Sequence, residues 1–313
     1  MDSITLGTRG SELALAQVDR AEVALRAAGF EGVIERRVIK TSGDQRLDIR
    51  LSDFSREGVV TQGVFTKELE AALLAGEIDA AVHSMKDLPS RLSSDFGIAA
   101  VMERAPVEDV LVTRASARAF ADLQEGATLA TGSVRRERIA AWLRRDLCLV
   151  DIRGNVPTRL TKLARGEAGD ATLLARAGLE RLGLYRDGMD QIEIDGAVLG
   201  CRELPVEQFV PAAAQGAVAI ETLAGAPVAD VLGRIGHLST ALRVEAERHF
   251  LMRLGAGCDT PVGVHAQLGA GGVEMSLSAV VFDDGADRRE PLAKGQVRGE
   301  PSSPGALAER LME

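Results

Sequence analysis

Short apolar strands and amphipathic helices alternate through the first two-thirds of this chain, and that alternation restricts the fold more than any other feature. Residues 4–7 read as a strand, 11–28 as a helix, and Gly29 as its stop. The next strand covers 33–40. Thr66 caps a helix over 67–75, on which Leu69, Leu73 and Leu74 share a face, and Gly76 ends it. A strand follows at 78–83. A second block begins near Asp109 and repeats the alternation, with strands at 128–131, 148–152 and 172–175 and helices at 134–145, 157–165 and 177–182. Such βαβ order predicts a mainly parallel sheet flanked by helices. Residues 224–236 are poorer in pattern and read as a connector. The remainder differs: a helix over 239–254, alternating segments at 262–268, 273–281 and 293–298, and a closing helix over 304–312. That pattern predicts an antiparallel sheet. At 313 residues the chain is too long for one ordinary core, so two or three domains are expected.

Several function classes are disfavoured by composition. A net charge of −9 argues against nonspecific nucleic-acid binding. No apolar run reaches the roughly 18 to 20 residues of a membrane span. The start, Met1-Asp-Ser-Ile-Thr, is not of signal-peptide type, so a cytoplasmic protein is expected. The cysteines Cys148, Cys201 and Cys258 are odd in number and widely spaced, and the four histidines form no HExxH. A disulfide scaffold and a metal site are therefore not expected.

Three strand–turn–helix junctions share one chemistry. Gly7-Thr-Arg9-Gly-Ser11 precedes the first helix, Gly132-Ser133-Val-Arg135-Arg136 opens another, and Arg153-Gly-Asn155-Val-Pro157-Thr-Arg159 a third. Each combines a flexible backbone, a capping hydroxyl or amide, free N–H groups and arginine. Arginine in a helix's first turn opposes the helix dipole by a few tenths of a kcal/mol unless an anion arrives. One such arginine alone is most simply a solvated surface group. Three such junctions at strand C-terminal ends, where ligands of α/β folds bind, point to a multiply charged anion. No turn has the GxxxxGK[ST] form, which disfavours nucleotide hydrolysis.

His83-Ser-Met-Lys86-Asp87-Leu-Pro-Ser90 follows the strand at 78–83, so Lys86 and Asp87 land among those turns. The pair is either a solvated loop pair or a working one, in which Asp87 holds a developing cation or handles protons and Lys86 binds a carboxylate. His83 reads more simply as a core residue ending its strand. Gly255-Ala-Gly-Cys258-Asp-Thr-Pro261 frames a thiol with glycines. Cys258 is either a small apolar turn residue or a reactive or modified thiol.

The runs GTRGSELALAQ, GVFTKELEAALLAGEIDAAVHSMKDLPS, SVRRERIA, DIRGNVPTRL, LARAGLERLG, PAAAQGAVAIE and GAGCDTPVG occur in the order seen in hydroxymethylbilane synthases, also called porphobilinogen deaminases. The resemblance covers roughly residues 4–268. It implies an enzyme that joins four porphobilinogen molecules head to tail, losing ammonia at each step, and then releases a linear tetrapyrrole by hydrolysis. It also implies one dipyrromethane cofactor per chain, bound as a thioether to Cys258. Asp87 is then the catalytic carboxylate, stabilising cationic pyrrole and azafulvene-like intermediates. Cofactor contacts fall to Ser11, Lys86, Ser133, Arg135 and Arg136, substrate contacts to Arg9, Arg153, Arg159 and Phe65, and a hinge position to Gln215.

The implied architecture is α/β with three domains. Two resemble type II periplasmic binding proteins, comprising residues 1–104 plus 211–234 and residues 105–210. The third, 235–313, is a smaller α/β domain with an antiparallel sheet that carries Cys258. A monomer without nucleic-acid, membrane or metal partners is expected. Departures from the family pattern are Thr61-Gln62-Gly63 for Gly-Lys-Gly, Glu12 and Pro157 where proline and glycine are common, and Ala214 for a glycine. The rival reading is a cytoplasmic two-lobed binding protein for a small polyanion, which has no need of Cys258.

Overall fold

The computed structural model describes residues 1–41, 66–114, 119–256, 260–283 and 290–313. Strand β1 (Ser3–Thr8) lies parallel to β2 (Val33–Val38) and β3 (Ala80–Ser84). Beyond β3 come β11 (Val218–Leu223) and β4 (Phe96–Val101), giving the order β2-β1-β3-β11-β4 with both β11 pairings antiparallel. Helix α1 (Glu12–Ala27) starts where Ser11 Oγ accepts the Ala14 N–H at 3.3 Å, and it stops before Gly29 at φ 85°. Its Val18, Ala21 and Leu25 pack on Ile4, Leu6, Ala80 and Val82, the inward residues of β1 and β3. Helix α2 (Lys67–Leu74) covers the opposite face through Leu69 and Leu73.

A second sheet has the order β7-β6-β8-β5-β10-β9. It comprises β5 (Asp109–Thr113), β6 (Thr128–Ala130), β7 (Cys148–Val150), β8 (Ala171–Ala175), β9 (Gln191–Ile194) and β10 (Ala197–Glu203). Helices α3 (Val134–Leu143), α4 (Val156–Ala164) and α5 (Arg176–Arg181) flank it. Strand β6 is parallel to β7 and β8, whereas β5 and β10 run antiparallel to their neighbours. The sheets are therefore mixed rather than mainly parallel. The reason is that the chain leaves the first sheet after β4, enters the second at β5, and returns from β10 to β11. The two crossovers hydrogen-bond to each other, Met102 N–H to Val218 O at 3.0 Å and Ala105 N–H to Gly216 O at 3.1 Å.

The stretch 224–236, expected as a connector, holds a short helix α6 (Val228–Leu232) with a 3₁₀ turn behind it, both packed on β4. Helix α7 (Leu238–Leu254) then leads into an antiparallel sheet of β12 (Val262–Leu268), β13 (Met275–Val281) and β14 (Ala293–Gly299), closed by α8 (Pro304–Met312). This last unit touches both sheets. Val244 of α7 joins Met85, Leu88 and Val101, while Val280 and Phe282 enter the core built on Leu111, Leu129 and Phe209. The α/β architecture, with two mixed sheets flanked by helices and a smaller antiparallel unit, agrees with the expected fold class.

Candidate active site

The turn after β3 is pinned by its apolar residues. Met85 and Leu88 are buried beside Ala217 and Val244, and Met85 N–H donates to Ala217 O at 3.0 Å. A 3₁₀ turn over Met85–Asp87 then leaves Lys86 exposed and Asp87 half-buried at the strand's C-terminal end. Beside it, β1 ends in Thr8, and Arg9 and Ser11 lead into α1. Arg9, Ser11 and Asp87 line one pocket with Gln17 and Ser84, so three of the expected residues come together. Gln17 reaches across from α1 to donate its Nε2–H to Ser84 Oγ at 2.7 Å.

At the start of α3, Ser133 Oγ accepts the Arg136 N–H at 3.5 Å. The anion demanded by the two arginines in this turn is present within the protein. Asp109, fully buried, accepts from Arg135 Nη2 at 2.7 Å and from Arg136 Nε and Nη2 at 3.2 and 2.7 Å. Arg135 Nη1–H also donates to Val210 O at 2.7 Å and Arg136 Nη1–H to Leu173 O at 2.8 Å. Although burial opposes its ionisation, Arg135 and Arg136 hold the Asp109 carboxyl far below the ordinary carboxylate range. Gln215, on the return crossover, donates its Nε2–H to Val107 O at 2.7 Å and Asp109 Oδ1 at 3.0 Å, which ties the two crossovers together.

Asn155 caps α4 by accepting the Thr158 N–H at 2.9 Å, and Pro157 occupies the first turn that suits it. Arg153 donates to Asp151 at 2.8 Å. Arg159 donates Nε–H to Gly154 O at 2.8 Å, and burial followed by the like charges of Arg136 and Arg153 pushes it down to about 10, against Asp151. Lys86 keeps a solvent-exposed side chain while protein crowds its ammonium. That crowding, then Arg136, pushes it down to about 8 against the opposing pull of Asp87. Lys86, on the turn after β3, thus feels Arg136 at the start of α3 on the second sheet.

Sequence reading missed three further groups. Arg181 on α5 donates Nη2–H to Gly216 O at 2.6 Å, and among the described residues its buried Nε has no acceptor. Burial, then Arg20, pushes this arginine down to about 10. Its signal was the LARAGLERLG run itself. Gln17 was detectable as an amide on an otherwise apolar helix stripe. Glu247, in the middle of α7, carried no local signal. Phe65 and Cys258 lie outside the described residues.

A polyanion fits this group of cations. Arg159 is held below its ordinary value by burial, then by Arg136 and Arg153, and Lys86 by the protein crowding its ammonium, then by Arg136, which is the state a carboxylate would relieve. A dipyrromethane bearing several carboxylates meets that donor set.

Two family profiles match the chain. The first is the porphobilinogen deaminase, dipyromethane cofactor binding domain, over residues 4–229, and the second is the C-terminal domain of the same enzyme, over residues 241–313. A porphobilinogen deaminase of Rubrobacter xylanophilus is 43% identical over 99% of this chain and 94% of its own length. A probable porphobilinogen deaminase of Methanothermobacter thermautotrophicus is 39% identical over 94% of this chain and 92% of its own length. Among solved structures, the Bordetella pertussis BvgS VFT2 domain matches at a TM-score of 0.40 and 16% identity, covering 74% of this chain and 85% of that one. That likeness is too loose to carry an argument.

Proposed function

The chain belongs to the porphobilinogen deaminase family, and on that basis we propose that Asp87 is its catalytic carboxylate, served by cationic groups that hold the substrate's acid side chains. The activity is that of a hydroxymethylbilane synthase: four porphobilinogen molecules are joined head to tail with loss of ammonia, on a dipyrromethane cofactor. The cofactor supplies a tethered pyrrole end to which each new unit is added, and Cys258 is its proposed anchor. The binding-protein alternative is not favoured beside this family membership.

Asp87 stands at the end of β3 in the pocket with Arg9 and Ser11, and that juxtaposition carries the reading. A carboxylate there accepts a hydrogen bond from a pyrrole N–H and stabilises the positive charge that spreads over the ring as ammonia leaves. It can also take the proton released when the new carbon–carbon bond forms. Arg9, Lys86, Arg153 and Arg159 are proposed to bind acetate and propionate groups. Arg135 and Arg136 keep part of their donor capacity for the cofactor while Asp109 fixes their orientation. Phe65 is assigned a place over the pyrrole site, and Gln215 the hinge.

The division into residues 1–104 plus 211–234, 105–210 and 235–313 is supported by the two crossovers and the three separate sheets. We also read the enzyme as a cytoplasmic monomer without nucleic-acid or membrane partners. The net charge of −9 weighs against nucleic-acid partners, and no helix among the described residues is long and apolar enough to cross a membrane.

Two measurements test the reading. Intact mass of purified protein is expected to exceed the polypeptide mass by one dipyrromethane, and Cys258→Ser is expected to lose that increment. Asp87→Asn is expected to keep the cofactor mass while kcat falls by about 10²-fold or more. Near-normal turnover by Asp87→Asn would remove the carboxylate from the mechanism.

A further inference from the structure

We propose that Arg248 is a positioning residue for this reaction: reaching over from the third unit, it clamps the exit of the turn after β3 and so fixes where the Asp87 carboxylate stands. The proposal rests on Asp87 being the catalytic carboxylate. Arg248, half-buried in the second half of α7, donates from a single nitrogen, Nη2, to Pro89 O at 2.6 Å and to Ser90 O at 3.1 Å. Those carbonyls lie two and three residues beyond Asp87. A guanidinium donating to a carbonyl makes a charge-assisted bond, stronger than a neutral one, and here one group spans two peptide units. Val244, one helical turn earlier on the same face of α7, packs on Met85 and Leu88, which flank Lys86 and Asp87. The helix thus meets the turn twice, once through an apolar contact and once through a charge.

The turn does not hold itself. Its internal bond, Leu88 N–H to Met85 O, is long at 3.3 Å, and a single 3₁₀ turn has poor hydrogen-bond geometry. The entry is fixed from β11, where Met85 N–H meets Ala217 O at 3.0 Å. At the exit, Pro89 has no N–H to offer, so the chain leaving Asp87 is gripped through carbonyl oxygens, which call for a donor. Arginine is that donor. It is always charged and has no acceptor, so its bonds to the two carbonyls hold at any working pH. Misplacing a reacting group by about 1 Å costs about 10²-fold in rate, so a loosened exit is read in turnover. The same helix ends at Leu254, four positions before Cys258 in the sequence. At about 1.5 Å per residue, the stretch from Arg248 to Leu254 keeps about 9 Å between the clamp and the helix end from which the proposed anchor follows. One stiff rod then sets both the carboxylate and the start of the cofactor's tether.

The test uses holoenzyme whose cofactor mass has been verified. Arg248→Met keeps the apolar stem and removes the donors; kcat is expected to fall about 10- to 50-fold while KM moves by less than about 5-fold. Arg248→Lys, a point charge able to reach one carbonyl, is expected to recover most of this and to stand about 3- to 5-fold below the parent in kcat. The deciding measurement places both substitutions in the Asp87→Asn background. Where the carboxylate is gone its placement no longer matters, so Arg248→Met is expected to change the residual kcat there by less than about 2-fold. A general loosening of the fold lowers kcat by the same factor in both backgrounds, and that result overturns the proposal. A kcat in Arg248→Met within about 2-fold of the parent overturns it too. If Arg248→Met fails to accumulate as holoenzyme, Arg248→Lys is read in the same two backgrounds: a loss seen with Asp87 and absent without it supports the clamp, and an equal loss or none overturns it. A crippled Asp87→Asn beside an additive Arg248→Met sinks this proposal alone; a normal Asp87→Asn sinks the carboxylate assignment with it.

Discussion

Asp109 holds two guanidinium groups and the Gln215 amide on one carboxylate. Removing its charge leaves two buried arginines without an anion. Asp109→Asn is expected to cost about 3–5 kcal/mol in urea unfolding of the holoprotein. A loss below about 1 kcal/mol would show that solvent or another anion replaces it. The sequence signalled that arginines in the first turn of α3 need an anion, and that much was legible. Its source was not, because strands β5 and β6 lie between Asp109 and Arg136, which meet only through the sheet order. Ala214 is a similar case. It replaces a family glycine and adopts φ 57°, a left-handed conformation held by its N–H bond to Glu247 Oε2 at 2.6 Å. Lys86 gives a pH prediction. Its folded value of about 8 lies below the ordinary 10.5, so the charge is complete at lower pH and is lost as pH rises through about 8. KM is expected to rise over that range, and Lys86→Arg, which stays protonated, is expected to flatten the rise. A KM profile identical in the two enzymes would remove Lys86 from substrate binding.

Among the elements, capped helices and alternating strands were the legible part. Helix α8 falls on residues 304–312 as expected, and α1 and α7 fall within a residue or so of their expected starts. Thr66 was expected to cap α2, yet it adopts a helical backbone and its side chain makes no capping bond. Strands β4, β5 and β11 were harder to see. Their apolar runs, buried wholly or largely on both faces, show little alternation. The β9–β10 hairpin was missed despite a plain signal. Asp195-Gly196 takes φ 50° and 77° between Ile194 and Ala197, the two-residue turn that Asp-Gly favours. The crossovers supply the sharpest test. Gly216 has φ 86°, and a Cβ there would lie 2.4 Å from Ala105 O. Gly216→Ala combines left-handed strain with a backbone clash and is expected to cost at least about 2 kcal/mol, read as a lowered urea midpoint. An unchanged midpoint would mean that the crossovers separate freely.

Across the molecule, Glu247 joins the three units. Fully buried on α7, it takes a bidentate fork from Arg104 on the outgoing crossover at 2.8 and 2.9 Å, the Ala214 N–H on the return crossover, and the Ala266 N–H of β12 at 2.8 Å. Although burial opposes its ionisation, Arg104, with help from His265, brings its carboxyl down to about 2. Because the folded value lies below the ordinary 4.5, its contribution is complete above about 4.5 and is lost as pH falls towards 2. Melting temperature is expected to drop steeply over that interval. Glu247→Gln is expected to start several degrees lower at neutral pH and to fall less steeply in acid. Parallel acid limbs in the two proteins would take the carboxylate out of that transition. None of this was visible in sequence, since a lone glutamate inside a helix looks like any solvated one.

The paired crossovers carry a mechanical consequence. Two strands laid side by side and stitched at several points flex across their flat face more easily than they shear or twist. Any swing of one lobe against the other would be confined to a single axis, as a door is by its strap hinge, and a cleft between them would widen for a lengthening chain without Asp87 and the arginines sliding out of register.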